Sequence, residues 1–92
     1  NLQSARLYYE DIITEHADSR YVPESLLMLA RIDFKEKKYT DARDKLKNLL
    51  TAFPAADVAA DAEKLRSKVE KKISEQAETI EPPTETVEEK SE

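Results

Sequence analysis

Two residues of types that do chemistry stand out in this sequence, His16 and Asp33, and neither has an obvious partner. His16 is the only histidine, and the chain has no cysteine. A metal site or a catalytic pair needs a second such group at ligand or hydrogen-bond spacing. We therefore expect His16 to be a structural residue, half packed at the end of a helix, and we expect no bound metal.

Asp33 lies among apolar residues in a segment with helical periodicity. A buried acid can have a strongly shifted pKa, and enzymes use such groups as acids and bases. The alternatives are that Asp33 lies at the edge of a groove, or that it forms a salt bridge with a lysine or arginine of an adjacent helix. We favour these structural roles, so the sequence predicts no catalytic residue, no cofactor and no enzyme activity.

Aromatic and basic residues could instead bind nucleic acid or lipid. The tyrosines could stack on bases, but nucleic-acid binding also needs a basic surface, and residues 1–76 hold 14 acidic and 14 basic residues. We expect the tyrosines to pack, with their hydroxyls at the rim. Glutamates dilute the basic face near residues 64–72, and no apolar run approaches the roughly 20 residues that span a bilayer. The predicted partner is therefore a protein or peptide, not nucleic acid.

Length, glycine content and charge limit the fold. Ninety-two residues allow one small domain, and the absence of glycine favours helices with short connections over phosphate-binding loops. Residues 77–92 carry six glutamates against one lysine, which accounts for the whole net charge of −5. These residues have no apolar periodicity, and we expect a disordered acidic tail there.

Apolar residues recur at spacings of three and four in four segments before the tail. The pattern predicts helices over about residues 3–17, from near Pro23 to the turn at 35–38, from Tyr39 to Ala52, and from a cap at Asp57 to Gln76.

The first and third of these segments resemble each other at a distance of 37 residues. Identical residues recur in the pairs Ala5 and Ala42, Arg6 and Arg43, and Thr14 and Thr51. A repeat of about this length on helical pairs predicts a solenoid, an architecture that usually presents a surface to another protein.

Residues 23–56 resemble a tetratricopeptide (TPR) repeat. The positions that this motif keeps apolar, small or proline fall on Leu26, Leu29, Ala30, Phe34, Tyr39, Ala42, Leu46, Leu49 and Pro54. Lys37 stands where the motif prefers glycine in the turn, so we expect a lysine with positive φ. The resemblance implies an all-α, antiparallel helix-pair solenoid over residues 1–76, with a half repeat at 1–20, the full repeat at 23–56 and a capping helix at 57–76.

In TPR proteins the first helix of each repeat lines a concave groove that binds a partner. By this resemblance, the residues facing the groove would be Glu24, Leu27, Arg31, Phe34 and Lys35. Basic side chains beside an aromatic ring suit an extended acidic peptide or a C-terminal carboxylate. The alternative is that Leu27 and Phe34 belong to the core and that the charges are a solvated face.

A finer resemblance is carried by the run from Asp18 to Ser25 (DSRYVPES), by the Phe53-Pro54 ending and by the 37-residue spacing. These features are similar to bacterial cell-envelope TPR proteins of two groups, the outer-membrane assembly lipoproteins of the BamD type and the periplasmic TPR proteins associated with the Tol–Pal system. The BamD-type resemblance implies a non-catalytic scaffold of outer-membrane protein assembly, at the periplasmic face of the outer membrane. It also implies an N-terminal lipid anchor.

Two other functions stay open. The chain could be a cytosolic TPR adaptor, or the partner-binding module of an enzyme whose catalytic domain lies upstream. Because the sequence opens at Asn1 on an amphipathic pattern, we expect a piece of a longer protein, cut within a repeat. The upstream segment would separate these functions, since it would hold any signal peptide, acylated cysteine or catalytic motif.

Overall fold

The computed structural model describes the backbone of residues 1–80 and the side chains of residues 1–76. This part of the chain is all-α, as predicted, and contains no strand. Its helices are, in order, α1 (Leu2–Glu15), α2 (Val22–Lys35), α3 (Tyr39–Ala52) and α4 (Ala59–Ile80).

The predicted bounds hold best for α3 and least for α4. Helix α4 begins two residues after Asp57, its predicted cap, and continues four residues beyond Gln76. The helix therefore includes residues 77–80, the first four of the predicted tail. The rest of that tail lies outside the described residues.

Local chemistry explains where α1 and α2 begin. The side chain of Asn1 accepts a hydrogen bond from the Ser4 amide at 3.1 Å, which satisfies one of the free N–H groups of the first turn of α1. Pro23 stands in the first turn of α2, where a residue without an amide proton loses no helical hydrogen bond. Glu24 lies in that first turn, at the positive end of the helix dipole, and Lys35 lies in the last turn, at its negative end. Both charges are therefore stabilising.

The turn between α2 and α3 depends on a lysine in the left-handed region. Lys37 has φ of 64°, which confirms the prediction made from its position in the motif. Its amide donates to the Phe34 carbonyl at 3.1 Å, and the Lys38 amide donates to the Asp33 carbonyl at 2.8 Å. These bonds close the end of α2 in the manner of a glycine-type helix stop, so α3 starts at once and packs back on α2.

The backbone repeats itself at the predicted distance of 37 residues. His16 ends α1 with φ −133° and ψ 50°, and Phe53 ends α3 with φ −133° and ψ 56°. The loops that follow, residues 16–21 and 53–58, also share their hydrogen bonds. The Ser19 amide donates to the carbonyl of His16, as the Ala56 amide donates to that of Phe53. The internal repeat is thus a property of the structure as well as of the sequence.

The core lies between α2, α3 and α4. Its buried members are Leu27, Ala30, Tyr39, Ala42, Leu46, Leu49, Ala62 and Val69. Helix α2 contacts each of the three other described helices. Among the described helices α1 packs on α2 alone, and no residue of α1 is fully buried.

Candidate partner-binding surface

Asp33 joins three helices through one buried carboxylate. Its side chain is 1% exposed, and it lies between Arg6 of α1 and Lys45 of α3. The Lys45 ammonium donates to Oδ2 at 2.6 Å. Oδ1 lies 2.9 Å from Nη1 of Arg6 but receives no aligned hydrogen bond. The predicted salt bridge to an adjacent helix is confirmed, with one cation on each side.

Arg6 extends this cluster to the surface. Its Nη2 donates to Oε1 of Glu36 at 2.6 Å, and Lys38 lies 3.5 Å from the same oxygen. Desolvation lowers the pKa of Arg6, but the contacts with Asp33 and Glu36 outweigh it and leave the pKa raised. Arg6 therefore stays charged, and Asp33 is held by two cations. Such an arrangement suits a structural ion pair better than a catalytic acid.

His16 lies at the surface rather than half packed as predicted. Its side chain is 63% exposed, and Nε2 lies 4.0 Å from Oδ2 of Asp11. It is the C-cap residue that follows α1, and this exposed position suits neither a buried base nor a packed core residue. Within the described residues, no three side chains of histidine, cysteine, aspartate or glutamate gather as a metal site would require.

An open crevice runs between α1 and α2, and we call it the α1–α2 crevice. One end is a groove of about 310 Å³, lined by Leu2, Ala5, Tyr9, Met28, Arg31, Ile32 and Lys35. The other end is a groove of about 250 Å³, lined by Tyr8, Tyr9, Ile12, Tyr21, Glu24 and Ser25. Tyr9 belongs to both. The crevice thus has an apolar middle, a basic end at Arg31 and Lys35, and an acidic end at Glu24.

The five residues predicted to face one groove lie in three different places, which are the two ends of the crevice and the core. Arg31 and Lys35 line one end of the α1–α2 crevice and Glu24 the other. Leu27 is 2% exposed and belongs to the core, which is the alternative that the sequence left open for it. Phe34 packs against the core, with its ring 5.4 Å from that of Tyr39 in an edge-to-face contact. Of these five residues, only the three charged ones line the crevice.

The residues of α1 that line the crevice are equivalent to residues of α3 that are buried. Ala42, Leu46 and Leu49 of α3 are fully buried between α2 and α4. Their equivalents 37 residues earlier, Ala5, Tyr9 and Ile12, are only partly buried. Helix α2 lies against these three from one side, and no described residue lies against them from the other.

Two tyrosines that the sequence predicts to pack are exposed. Tyr8 is 64% and Tyr21 is 51% exposed, whereas Tyr39 is buried. A signal for Tyr8 was present, since adjacent residues of a helix point about 100° apart, and Tyr9 already fills the face toward α2. The role of Arg6 had no comparable signal, because its partner Asp33 lies 27 residues away on another helix.

A second groove adjoins the acidic end, between the loops at residues 16–21 and 53–58. It has a volume of about 490 Å³ and is lined by Arg20, Tyr21, Pro23, Glu24, Ala55, Ala56, Asp57 and Val58. Tyr21 and Glu24 are shared with the α1–α2 crevice. The two grooves therefore adjoin each other at the N-terminal end of α2.

The described helices and the comparisons with known proteins leave the family unassigned. None of the helices within residues 1–80 combines the length and the apolar character that a membrane crossing requires. Comparison of the chain with protein-family models, with curated proteins and with solved structures finds no significant match.

Proposed function

We propose that this chain is a non-catalytic scaffold for protein–protein interaction, built as a helical repeat of the TPR type. The observation that supports this proposal is the α1–α2 crevice, which has apolar side chains in its middle between a basic and an acidic end. A surface of this shape and pattern suits an amphipathic helix or an extended segment of another polypeptide. Asp33, whose burial could have suggested an acid–base role, has a structural use, since it is held by Arg6 and Lys45.

The charges of the crevice determine what its partner should carry. Glu24 and Arg31 are seven residues apart on α2, about 10 Å at 1.5 Å per residue. A partner that follows the crevice would place a basic group near Glu24 and an acidic group near Arg31 and Lys35. Its apolar side chains would lie over Ala5, Tyr9 and Met28, because these line the middle of the crevice.

Within the helical-repeat proteins, we assign the chain to the bacterial cell envelope and to outer-membrane protein assembly of the BamD type. This assignment is supported only by the resemblance of residues 18–25 and of the repeat spacing. The Tol–Pal-associated TPR proteins share these features. The partner would then be a component of an outer-membrane assembly complex.

The interaction can be tested by photo-crosslinking in the source cells. A photoreactive residue in place of Met28, which lines the crevice, should crosslink the full-length protein to another protein. The same residue in place of Lys64, on the exposed face of α4, serves as the matched control and should not. Crosslinks from Met28 only to the protein's own chain would mean that the crevice is filled internally, and would contradict partner binding at this surface.

The cell-envelope assignment is tested by mass spectrometry of the N-terminus of the native protein, after fractionation of its source cells. An acylated cysteine in the outer-membrane fraction is the expected result. A cleaved signal peptide followed by a coiled coil would favour the Tol–Pal-associated group. An unmodified methionine in the cytosol would exclude both envelope groups and favour an adaptor or an accessory module of an enzyme.

A further inference from the structure

Three tyrosines and one glutamate surround the acidic end of the α1–α2 crevice. Tyr8, Tyr9 and Tyr21 line the groove of about 250 Å³ together with Glu24, and its remaining lining residues are Ile12 and Ser25. We call Tyr8, Tyr9, Tyr21 and Glu24 the tyrosine cage. The lining of this groove contains no lysine or arginine, whereas Glu24 also lines the neighbouring groove, to which Arg20 contributes.

The arrangement of the rings suits a cation. The face of an aromatic ring is electrostatically negative and attracts an ammonium or guanidinium group within about 6 Å of the ring centre. The rings of Tyr8 and Tyr9 are 5.2 Å apart and inclined by 74° in an edge-to-face contact, and both line the groove together with Tyr21. Glu24 adds a full negative charge to the same groove.

The molecule already contains one cation on a ring of the cage. The guanidinium carbon of Arg20 lies 5.2 Å from the centre of the Tyr21 ring, and its Nη2 donates to the Tyr21 hydroxyl at 3.1 Å. Arg20 lines the neighbouring groove and not the cage. Tyr21 is thus a ring that holds a cation on one side while it also lines the cage.

Size and exposure distinguish among possible occupants. A volume of about 250 Å³ is below the roughly 300–1,000 Å³ of sites for drug-sized ligands, but it admits one long side chain. Tyr8 and Tyr21 are more than half exposed, and exposed tyrosines are common anchors at protein interfaces. Glu24 would repel a phosphate, which disfavours stacking on nucleotides.

We propose that the tyrosine cage binds the lysine or arginine side chain of a partner polypeptide. The proposal rests on the proposed function for the source of that side chain, because the crevice continues from the cage past Tyr9 to Arg31 and Lys35. A partner lying along the crevice would insert its basic residue between the rings. Its acidic residue would lie about two helical turns away.

The test measures the binding of small probes to the 92-residue chain. The readout is the NMR signals of the tyrosine rings. The probes are the N-acetyl methylamides of lysine, of arginine and of norleucine, which has the same four-carbon side chain as lysine without the ammonium group. Lysine and arginine probes should shift the signals of Tyr8, Tyr9 and Tyr21 and leave Tyr39 unchanged. The norleucine probe should bind at least about fivefold more weakly.

Variants locate the binding. Glu24→Gln, Tyr8→Leu and Tyr21→Leu should each weaken the lysine probe severalfold, whereas Glu63→Gln on the exposed face of α4 should not. Unchanged Tyr39 signals in each variant show that the core is intact. The proposal would be overturned if the norleucine probe bound as tightly as the lysine probe. It would also be overturned if both Glu24→Gln and Tyr21→Leu bound the lysine probe as tightly as the parent chain.

A third probe separates side chains from small molecules. Choline that binds tenfold more tightly than the lysine and arginine probes would assign the site to a free quaternary ammonium compound and overturn the proposal. The result is independent of the crosslinking test, because probes can bind the cage even when the crevice has no protein partner. Crosslinking can likewise succeed when the probes fail.

Discussion

At the scale of single residues, Asp33 stabilises the packing of α1 by charge. Helix α1 has no fully buried residue, and its side chain Arg6 reaches both Asp33 and Glu36. Lys45 approaches the same carboxylate from α3. A buried carboxylate is costly to desolvate, and the two cations offset that cost only while all three groups are present.

Removal of this carboxylate should be strongly destabilising. We expect Asp33→Ala to lower the free energy of unfolding by about 3 kcal/mol, because Arg6 and Lys45 keep little access to water after the loss of their shared anion. Urea denaturation followed by circular dichroism measures this change. The control Asp44→Ala, on the exposed side of α3, should change stability by less than about 0.5 kcal/mol. Equal effects of the two variants would contradict the role of Asp33.

Lys37, unlike Asp33, lowers the stability of the fold, since its backbone adopts a conformation that is unfavourable for a lysine. We expect Lys37→Gly to raise the free energy of unfolding by about 0.5–1 kcal/mol, because glycine adopts a φ of 64° without steric cost. The control Lys38→Gly changes a residue with φ of −92° and should lower stability instead. Thermal melts of both variants test the pair. A loss of stability in both would show that the turn is not strained.

At the scale of helices, the crossing of α2 and α3 depends on small residues. Ala30 and Ala42 are both fully buried in the shared core, where close approach leaves no room for a larger side chain. The spacing of apolar residues was enough to predict α3 and the repeat. It was not enough to predict the start of α4, because the turn after Pro54 extends one residue further than a cap at Asp57 would allow.

Side-chain partners were harder to predict than helices, and the reason is physical. Periodicity reports which face of a helix is apolar, but not which residue of a distant helix lies opposite. The sequence therefore suggested a salt bridge for Asp33 without naming Arg6 or Lys45. It also placed Leu27 at a groove, since a motif position does not show which neighbour covers it.

The helix crossing yields a direct test. Ala42→Leu should overpack the contact and lower the free energy of unfolding by about 1–3 kcal/mol. Ala60→Leu makes the same change at an exposed position of α4 and should have little effect. The comparison is made by circular-dichroism melting. Matching melts of Ala42→Leu and the parent would show that the crossing has spare room.

At the scale of the whole molecule, stability should be uneven along the chain. The core joins α2, α3 and α4, whereas α1 contacts α2 alone among the described helices. Regions with few buried contacts open locally at a smaller free-energy cost than the core.

Hydrogen exchange should reveal this gradient. We expect the amides of α1 to exchange at least about tenfold faster than those around Leu46 and Leu49, which are fully buried. Mass spectrometry of peptides from α1 and α3 measures both rates in one experiment. A partner bound in the α1–α2 crevice should slow exchange in α1 most. Equal protection of α1 and α3 in the chain alone would contradict the gradient.

The arrangement of contacts also determines how the molecule would respond to tension. Among the described helices, α1 is held by α2 alone. A stretching force on the two ends of the described chain would therefore detach α1 first and leave the three-helix core folded. The chain would lengthen in steps rather than in one rupture. A ligand that binds both α1 and α2 in the crevice would raise the force needed for the first step.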